Sequence, residues 1–494
     1  MKQYIAAFDV GTTAVKGVVV TTEGKVVYSS SINIDTIFQG EYKEQKPSDW
    51  YSAFCKISRE FFKRGFKPTE FLGIVMSGQM QDLIMVDREL NPVDHAILYS
   101  DGRATREADE IIHLAGDERI KSCTGNHFDG SMPFAKLLWQ KKNHHDCFAK
   151  AHKVLISAKD YCVTRLTGNF VTDATSAATA GLMDIHSKKW MSDWCDAVGI
   201  STDILPEILY ADEKAGYVTH KAAHESGYAQ DTPVYCGTGD AGATTLASGI
   251  SRSGDYNINL GTSGWIACIS DDALCKDGVF NLAAIQKNVY INVVPFLNAG
   301  NVHKWVSSMI TPDELQGQKY DYAAKLLEAS VPASNGLLVL PYLVGERFPV
   351  MDTHIKGCIV GATPETTKND VVRACLEGVA FSIRYGIECI GKMPKSVSII
   401  GGGAKERLWC QIISDILGQP VIAYENSEIL PSVAISSCVM VGEGLWQDYS
   451  QLNAFLMKSG SYTAYQPCKE NEQLYNAVYE KYKKVYPAVK TIYE

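Results

Sequence analysis

The sequence predicts an α/β protein of two duplicated domains that hold a phosphate between them. Three observations carry that expectation. The chain has 494 residues, a length at which two domains are the default. Strand-like and helix-like runs alternate through both halves. One element also occurs twice, as Asp9-Val10-Gly11-Thr12-Thr13 and as Asn259-Leu260-Gly261-Thr262-Ser263. Each copy follows an apolar run and packs a Gly and two hydroxyl residues into a tight turn. Such a turn presents backbone N–H groups to an anion. The copies differ at their first residue, Asp9 against Asn259. A nucleotide with Mg²⁺ needs carboxylate near its phosphates, and one side is enough.

The first half opens with apolar runs at 4–8, 15–20 and 26–32, read as strands, with Thr22-Glu23-Gly24 as a hairpin turn. Trp50, Phe54, Ile57 and Phe61 recur at a helical period, which predicts a helix over 47–64. A buried strand follows at 71–76, then a loop at 77–82 and a strand at 83–86. Helices are expected at 133–141 and 159–166. A strand at 232–236 runs into Gly237-Thr238-Gly239-Asp240, and a small-residue helix follows over 241–249.

The Gly/Ser-rich patch at 248–253 sets the division into domains 1–248 and 249–494. The second half repeats the rhythm, with strands at 256–259, 265–269, 289–293 and 397–400. Helices are expected at 302–309, 370–390 and 408–417, the last opened by Gly401-Gly402-Gly403. Trp305 is expected in the core, at helical spacing from Val302 and Met309.

A net charge of −9 argues against a general nucleic-acid binder, which would present a basic face. Fourteen cysteines show no paired spacing and read as reduced thiols of a cytoplasmic protein, without a structural zinc site. Asp9 and its turn interrupt the first apolar run, so residues 1–20 do not read as a signal peptide. No apolar stretch approaches the ~20 residues of a membrane span.

Ser77-Gly78-Gln79-Met80, Asp101-Gly102-Arg103 and Lys159-Asp160-Tyr161 occur in one order with three further blocks. These are Gly345-Glu346-Arg347-Phe348-Pro349, Glu377-Gly378-Val379-Ala380-Phe381 and Gly401-Gly402-Gly403-Ala404-Lys405. The series resembles the FGGY family of carbohydrate kinases, most closely its xylulokinase branch. The likeness covers nearly the whole chain. It implies actin-like, ribonuclease H-like domains, with mixed β-sheets flanked by helices and a cleft between. It also implies ATP and Mg²⁺ as cofactors and a small sugar as partner. Family members are often homodimers, although no apolar surface stripe here establishes one.

From the residues alone, Asp240 is equally a base beside two glycines or an N-cap of the helix that follows. The resemblance places the family's proton-accepting carboxylate there. Asp9 is the other candidate metal carboxylate, acting on Mg²⁺ with Asp240. Gly11, Thr12 and Thr13 would cradle the transferred phosphate, with Lys16 as a candidate neutralising charge. Gly261, Thr262 and Ser263 would hold the outer phosphates of ATP. Gly300, Lys304, Gly402 and Gly403 complete the nucleotide set.

Met80, Gln81, Asp101 and Asp240 are the candidate sugar contacts. Xylulokinases read Q-M-H-G where this chain has Gln81 and Asp82 in the last two places, and Ala241 stands where Asn is common. Arg103 is expected to order its loop by pairing with a carboxylate. The reaction implied is ATP-dependent phosphorylation of a sugar or polyol hydroxyl, with a pentulose such as D-xylulose first. Gluconate, ribulose, glycerol or another polyol are the rival acceptors. A nucleotide-gated binding protein without kinase activity is the rival class.

Overall fold

A computed structural model describes residues 3–391, 394, 396–424, 429–459 and 462–493. Each half is built on a seven-stranded sheet. In the first, Tyr4–Val10, Ala14–Thr21 and Val26–Asn33 form an antiparallel meander, and Phe71–Gly78 lies parallel to Tyr4–Val10. In the second, Tyr256–Leu260, Gly264–Ser270 and Tyr290–Phe296 repeat the meander, and Val397–Ile400 repeats the parallel strand. The duplication expected from the two turns is therefore a duplication of sheet topology. Both turns join the first and second strands of their meanders.

The strands form where apolar residues run without polar interruption. Ile5, Ala6, Ala7 and Phe8 are all fully buried, as a central strand covered on both faces requires. The strand Val26–Asn33 instead alternates between half-buried and exposed residues. The helix Pro47–Lys63 starts with Pro in its first turn and buries Trp50, Phe54, Ile57 and Phe61 against the sheet. Phe54 and Phe8 have ring centroids 4.6 Å apart. Each such buried aromatic contributes about 1.5–3 kcal/mol. Gly17 permits this contact, because a Cβ there would lie 2.6 Å from Ile57 and 2.7 Å from Phe8.

The two halves share packing. The helix Leu430–Gly442 belongs to the second half of the chain but covers the first sheet, with Val433, Ala434 and Val439 in one cluster with Ile5, Ala7 and Val75. A second shared cluster joins Ala174, Ala177 and Ala178 to Ile269, Leu282 and Ile291 of the second sheet.

Trp305 is not in the core. The helix Gly300–Ile310 buries Val302, Val306 and Ile310, while Trp305 and Met309 are 36% and 52% exposed. Two stripes share helical spacing through Val302, and the aliphatic one is buried in the core of the second half. All fourteen cysteines are free. Among the described residues, no helix is long and apolar enough to cross a membrane.

Candidate active site

Gly237, Thr238 and Gly239 bring the chain from the strand Pro233–Tyr235 to the helix Asp240–Ala247. Thr238 and Gly239 pair in parallel with Ser77 and Gly78. Gly237 is left-handed, with φ +67°, and a Cβ there would overlap the Met76 carbonyl oxygen. A Cβ on Gly239 would overlap the Met80 sulfur, so Met80 packs directly on the turn. Asp240 is the first residue of the helix, not its cap residue, which is Gly239. Its side chain is exposed to solvent, yet protein surrounds it closely enough to desolvate the carboxylate. Burial and then the negative charge of Asp9 push it up to about 7.

Asp9 is the penultimate residue of the first strand, directly opposite Lys16 and in register with Ser77. The Ser77 hydroxyl donates to Asp9 Oδ1 at 2.9 Å. Burial raises the Asp9 carboxyl, while Ser77 and the Lys16 charge pull the other way. Asp9 and Asp240 thus form a pair of mutually repelling carboxylates beside a phosphate turn. Among the described residues no third ligating side chain joins them. That donor set fits Mg²⁺, which keeps several waters and takes further oxygens from phosphate.

The first turn is braced by polar residues that sequence reading missed. Thr12 Oγ1 donates to Gln79 Oε1 at 2.6 Å, and Gln79 Nε2 donates to Gln45 Oε1 at 3.0 Å. Gln45 Nε2 closes the ring on the Thr12 carbonyl at 2.7 Å. Gln79 therefore ties the phosphate turn to the loop that carries Met80 and Gln81. Its place inside the Ser77–Met80 block was the available signal. Gln45 had none. Gly11 and Thr12 are half-buried, and Thr13 is exposed.

Gln81 sits at φ +63° and is half-buried. Its amide donates to Ser131 Oγ at 2.8 Å, and its carbonyl accepts from the buried Lys136 ammonium at 3.1 Å. Asp101 is placed differently from Met80 and Gln81. It is fully buried, and its carboxylate accepts from the Lys43 N–H at 2.7 Å and from Arg103 Nε and Nη2 at 2.9 and 2.6 Å. Burial alone would raise its pKa, but these donors hold it below the usual carboxylate value. Arg103 also pairs with Glu44 at 2.8 Å and lies 3.8 Å from the Tyr42 ring centroid. Asp101 and Arg103 order this loop, as expected of Arg103, and the carboxylate is not open to a sugar.

A cavity of about 700 Å³ gathers Gly261, Thr262, Gly300, Lys304, Gly402 and Gly403. Ser263 is exposed at the edge of the same turn. The close approach is real at Gly300, where the N–H donates to the Gly261 carbonyl at 2.8 Å and a Cβ would lie 2.5 Å from that oxygen. Gly403 packs where a Cβ would be 2.7 Å from Leu260 and 2.9 Å from Trp409. Gly402 faces open space. His303 also lines the cavity, 5.2 Å from the Tyr320 ring and 5.6 Å from the Trp409 ring. Burial pushes His303 down to about 4, so it is neutral at physiological pH. An aromatic, uncharged wall beside N–H-bearing turns suits a planar base carrying phosphates.

The N-terminal domain of the FGGY family of carbohydrate kinases matches residues 4–247, and its C-terminal domain matches residues 256–430. A xylulose kinase of Bacillus subtilis is 30% identical over 499 aligned residues, covering 99% of this chain and 98% of the relative. Among solved structures, a ligand-bound xylulose kinase from Lactobacillus acidophilus superimposes with a TM-score of 0.85 at 26% identity, covering 99% of both chains. A gluconate kinase from the same organism gives 0.84 at 26% identity with the same coverage. The two domain matches, the full-length likeness and the paired phosphate turns agree, and the chain belongs to the FGGY family of carbohydrate kinases.

Proposed function

We propose that this carbohydrate kinase transfers the γ-phosphoryl group of ATP to a primary hydroxyl of a pentulose, with D-xylulose as the first acceptor. The observation that carries the reading is the open Asp240 carboxylate beside Asp9 and the first phosphate turn, with Met80 packed on the same turn. Asp240 takes the hydroxyl proton, the sugar oxygen bonds to the γ-phosphorus, and the bond to the ADP oxygen breaks. A carboxylate base in this role contributes about 10²–10⁴ in rate. Asp9 and Asp240 would hold Mg²⁺, which supplies positive charge to the phosphates. Gly11, Thr12, Thr13 and Lys16 would receive the transferred group. Gly261, Thr262, Ser263, Gly300, Lys304, Gly402 and Gly403 would hold the rest of ATP. Closure around the sugar would exclude water, the competing nucleophile.

An uncharged acceptor fits better than gluconate. A sugar carboxylate asks for a free cation, and the cations of this loop are committed. Arg103 is held by Asp101 and Glu44, and Lys136 by the Gln81 and Leu98 carbonyls. Gln81, in place of the xylulokinase His, would offer the hydroxyls the amide capacity left beyond its bond to Ser131. The fourteen free thiols fit a reducing cytoplasm. The test is a panel of D-xylulose, ribulose, gluconate and glycerol, read by ADP release and by phosphorylated product. D-xylulose should give the highest kcat/KM. A higher value for gluconate would overturn the choice of acceptor, and ADP release without phosphorylated sugar would overturn the kinase reading.

A further inference from the structure

We propose that Asp173 is the positioning residue for Asp240, fixing the turn that carries the base and joining that turn to the second domain. This rests on the reading of Asp240 as the base. Asp173 ends the strand Val171–Asp173 and caps the short helix Ala174–Ala177. Its side chain is 1% exposed. Oδ2 accepts from the Thr238 hydroxyl at 3.0 Å and from the Gly239 N–H at 3.3 Å, the two residues before Asp240. The same oxygen accepts from the Thr175 and Ser176 N–H groups, each at 3.1 Å. Oδ1 accepts from the Ser176 hydroxyl at 2.6 Å and faces Lys159 Nζ at 2.9 Å.

A buried carboxylate is tolerated only when it is satisfied, and six donors satisfy this one. Burial works to raise its pKa, but the Lys159 ammonium and the Ser176 groups hold it below the usual carboxylate value. Both oxygens of Asp173 are taken up by these donors, which makes it an anchor and not a second base. Its grip on the turn has a mechanical reason. A shift of about 1 Å in a reacting group costs about a hundredfold in rate.

The segment also touches the second domain. The Thr175 hydroxyl donates to the Ala283 carbonyl at 2.7 Å, on the strand Phe280–Ala283 of the other sheet. On its other side, Ser176 Oγ lies 2.9 Å from where a Gly239 Cβ would stand. One short helix thus meets the base turn on one side and the nucleotide domain on the other.

Asp160 supplies the contrast that separates positioning from packing. It is as buried as Asp173 and pairs with the same Lys159 at 2.6 Å, but its hydrogen bonds go to Ser157, Ile156 and Thr172, away from the turn. The experiment compares Asp173→Asn, Thr238→Val and Asp160→Asn in the full chain, with kcat, both KM values and Tm. Asp173→Asn should lower kcat by about tenfold or more and leave KM for ATP within about twofold. Thr238→Val removes a single donor to Asp173. It should lower kcat several-fold at nearly unchanged Tm. Asp160→Asn should lower Tm with kcat within about threefold of wild type. Wild-type kcat in Thr238→Val overturns the proposal, including where Asp173→Asn fails to fold. So does an equal loss of kcat in Asp160→Asn. A fully active Asp240→Asn would instead remove the base assignment on which the proposal rests.

Discussion

Replacing Asp240 by Asn should abolish sugar phosphorylation and stabilise the free protein at the same time. Asn keeps the shape of the side chain and loses both the proton acceptor and the charge. Loss of the acceptor is expected to cost about 10² or more in kcat, or roughly 2.7 kcal/mol of transition-state stabilisation. The stability effect follows from the carboxylate's shift. Its folded-state value, about 7, lies above the ordinary 3.8 because of burial and Asp9. A raised pKa means that the protonated form favours folding, and that contribution is lost as pH rises through about 7. Asn carries no charge at any pH. The Tm gain should therefore be clear at pH 8 and absent near pH 4. The assay pairs ADP release in the presence of sugar with a thermal melt at both pH values, and ATP affinity by calorimetry. ATP should bind as well as in the wild type. In the wild type, kcat/KM should fall as pH drops through about 7, since the base must be unprotonated. Turnover within a few-fold of wild type in Asp240→Asn would refute the assignment. Loss of activity together with a lower Tm at pH 8 would refute the electrostatic account of the site.

Thr262→Val should weaken ATP binding by about 1.5–3 kcal/mol and leave sugar KM nearly unchanged, since it removes a hydroxyl at the nucleotide cavity. Calorimetry with ATP decides this, and unchanged affinity would remove Thr262 from the phosphate site. Gly239→Ala should raise sugar KM and lower kcat together, because the new methyl displaces Met80. A variant with wild-type kinetics would show that Met80 yields freely. Gln81→Ala should raise sugar KM with little change in KM for ATP, and Gln81→His should shift the ranking toward D-xylulose. If both keep the wild-type ranking and KM, residue 81 is not a sugar contact.

The strands and the two turns were legible because each is encoded locally. An apolar run followed by Gly and two hydroxyls needs no distant partner to be recognised, and Gly237 and Gly300 stand where a Cβ would run into backbone oxygens. Residues whose roles depend on distant partners were not legible. Asp173 grips Thr238 across 65 residues, and nothing in its own neighbourhood distinguishes it from a helix cap. His303, Tyr320 and Trp409 form the aromatic wall of the nucleotide cavity only after the second domain folds. Asp101 is instructive in a different way. Its partner Arg103 stands two residues on, and a carboxylate gripped by guanidinium is already committed. Trp305 shows the limit of periodicity, which finds two stripes through Val302 and does not choose between them.

The exchange of Asp9 for Asn259 explains why a duplicated fold serves an asymmetric reaction. In the first half the carboxylate lies near Asp240, the proposed base, and is held by Ser77 and paired in register with Lys16. The charge of Asp9 already raises the pKa of Asp240, so further negative charge at this site needs cationic charge to offset it. A carboxylate at position 259 would add negative charge to the turn proposed to hold the outer phosphates. Asn keeps the polar shape without the charge. Its Oδ1 lies 2.8 Å from where a Gly401 Cβ would stand, so the second turn packs against the Gly401–Gly403 segment instead of a base. The first copy thus keeps the charge needed where the phosphoryl group moves. On the proposed reading, the second gives it up and would be a neutral cradle for the part of the nucleotide that stays still.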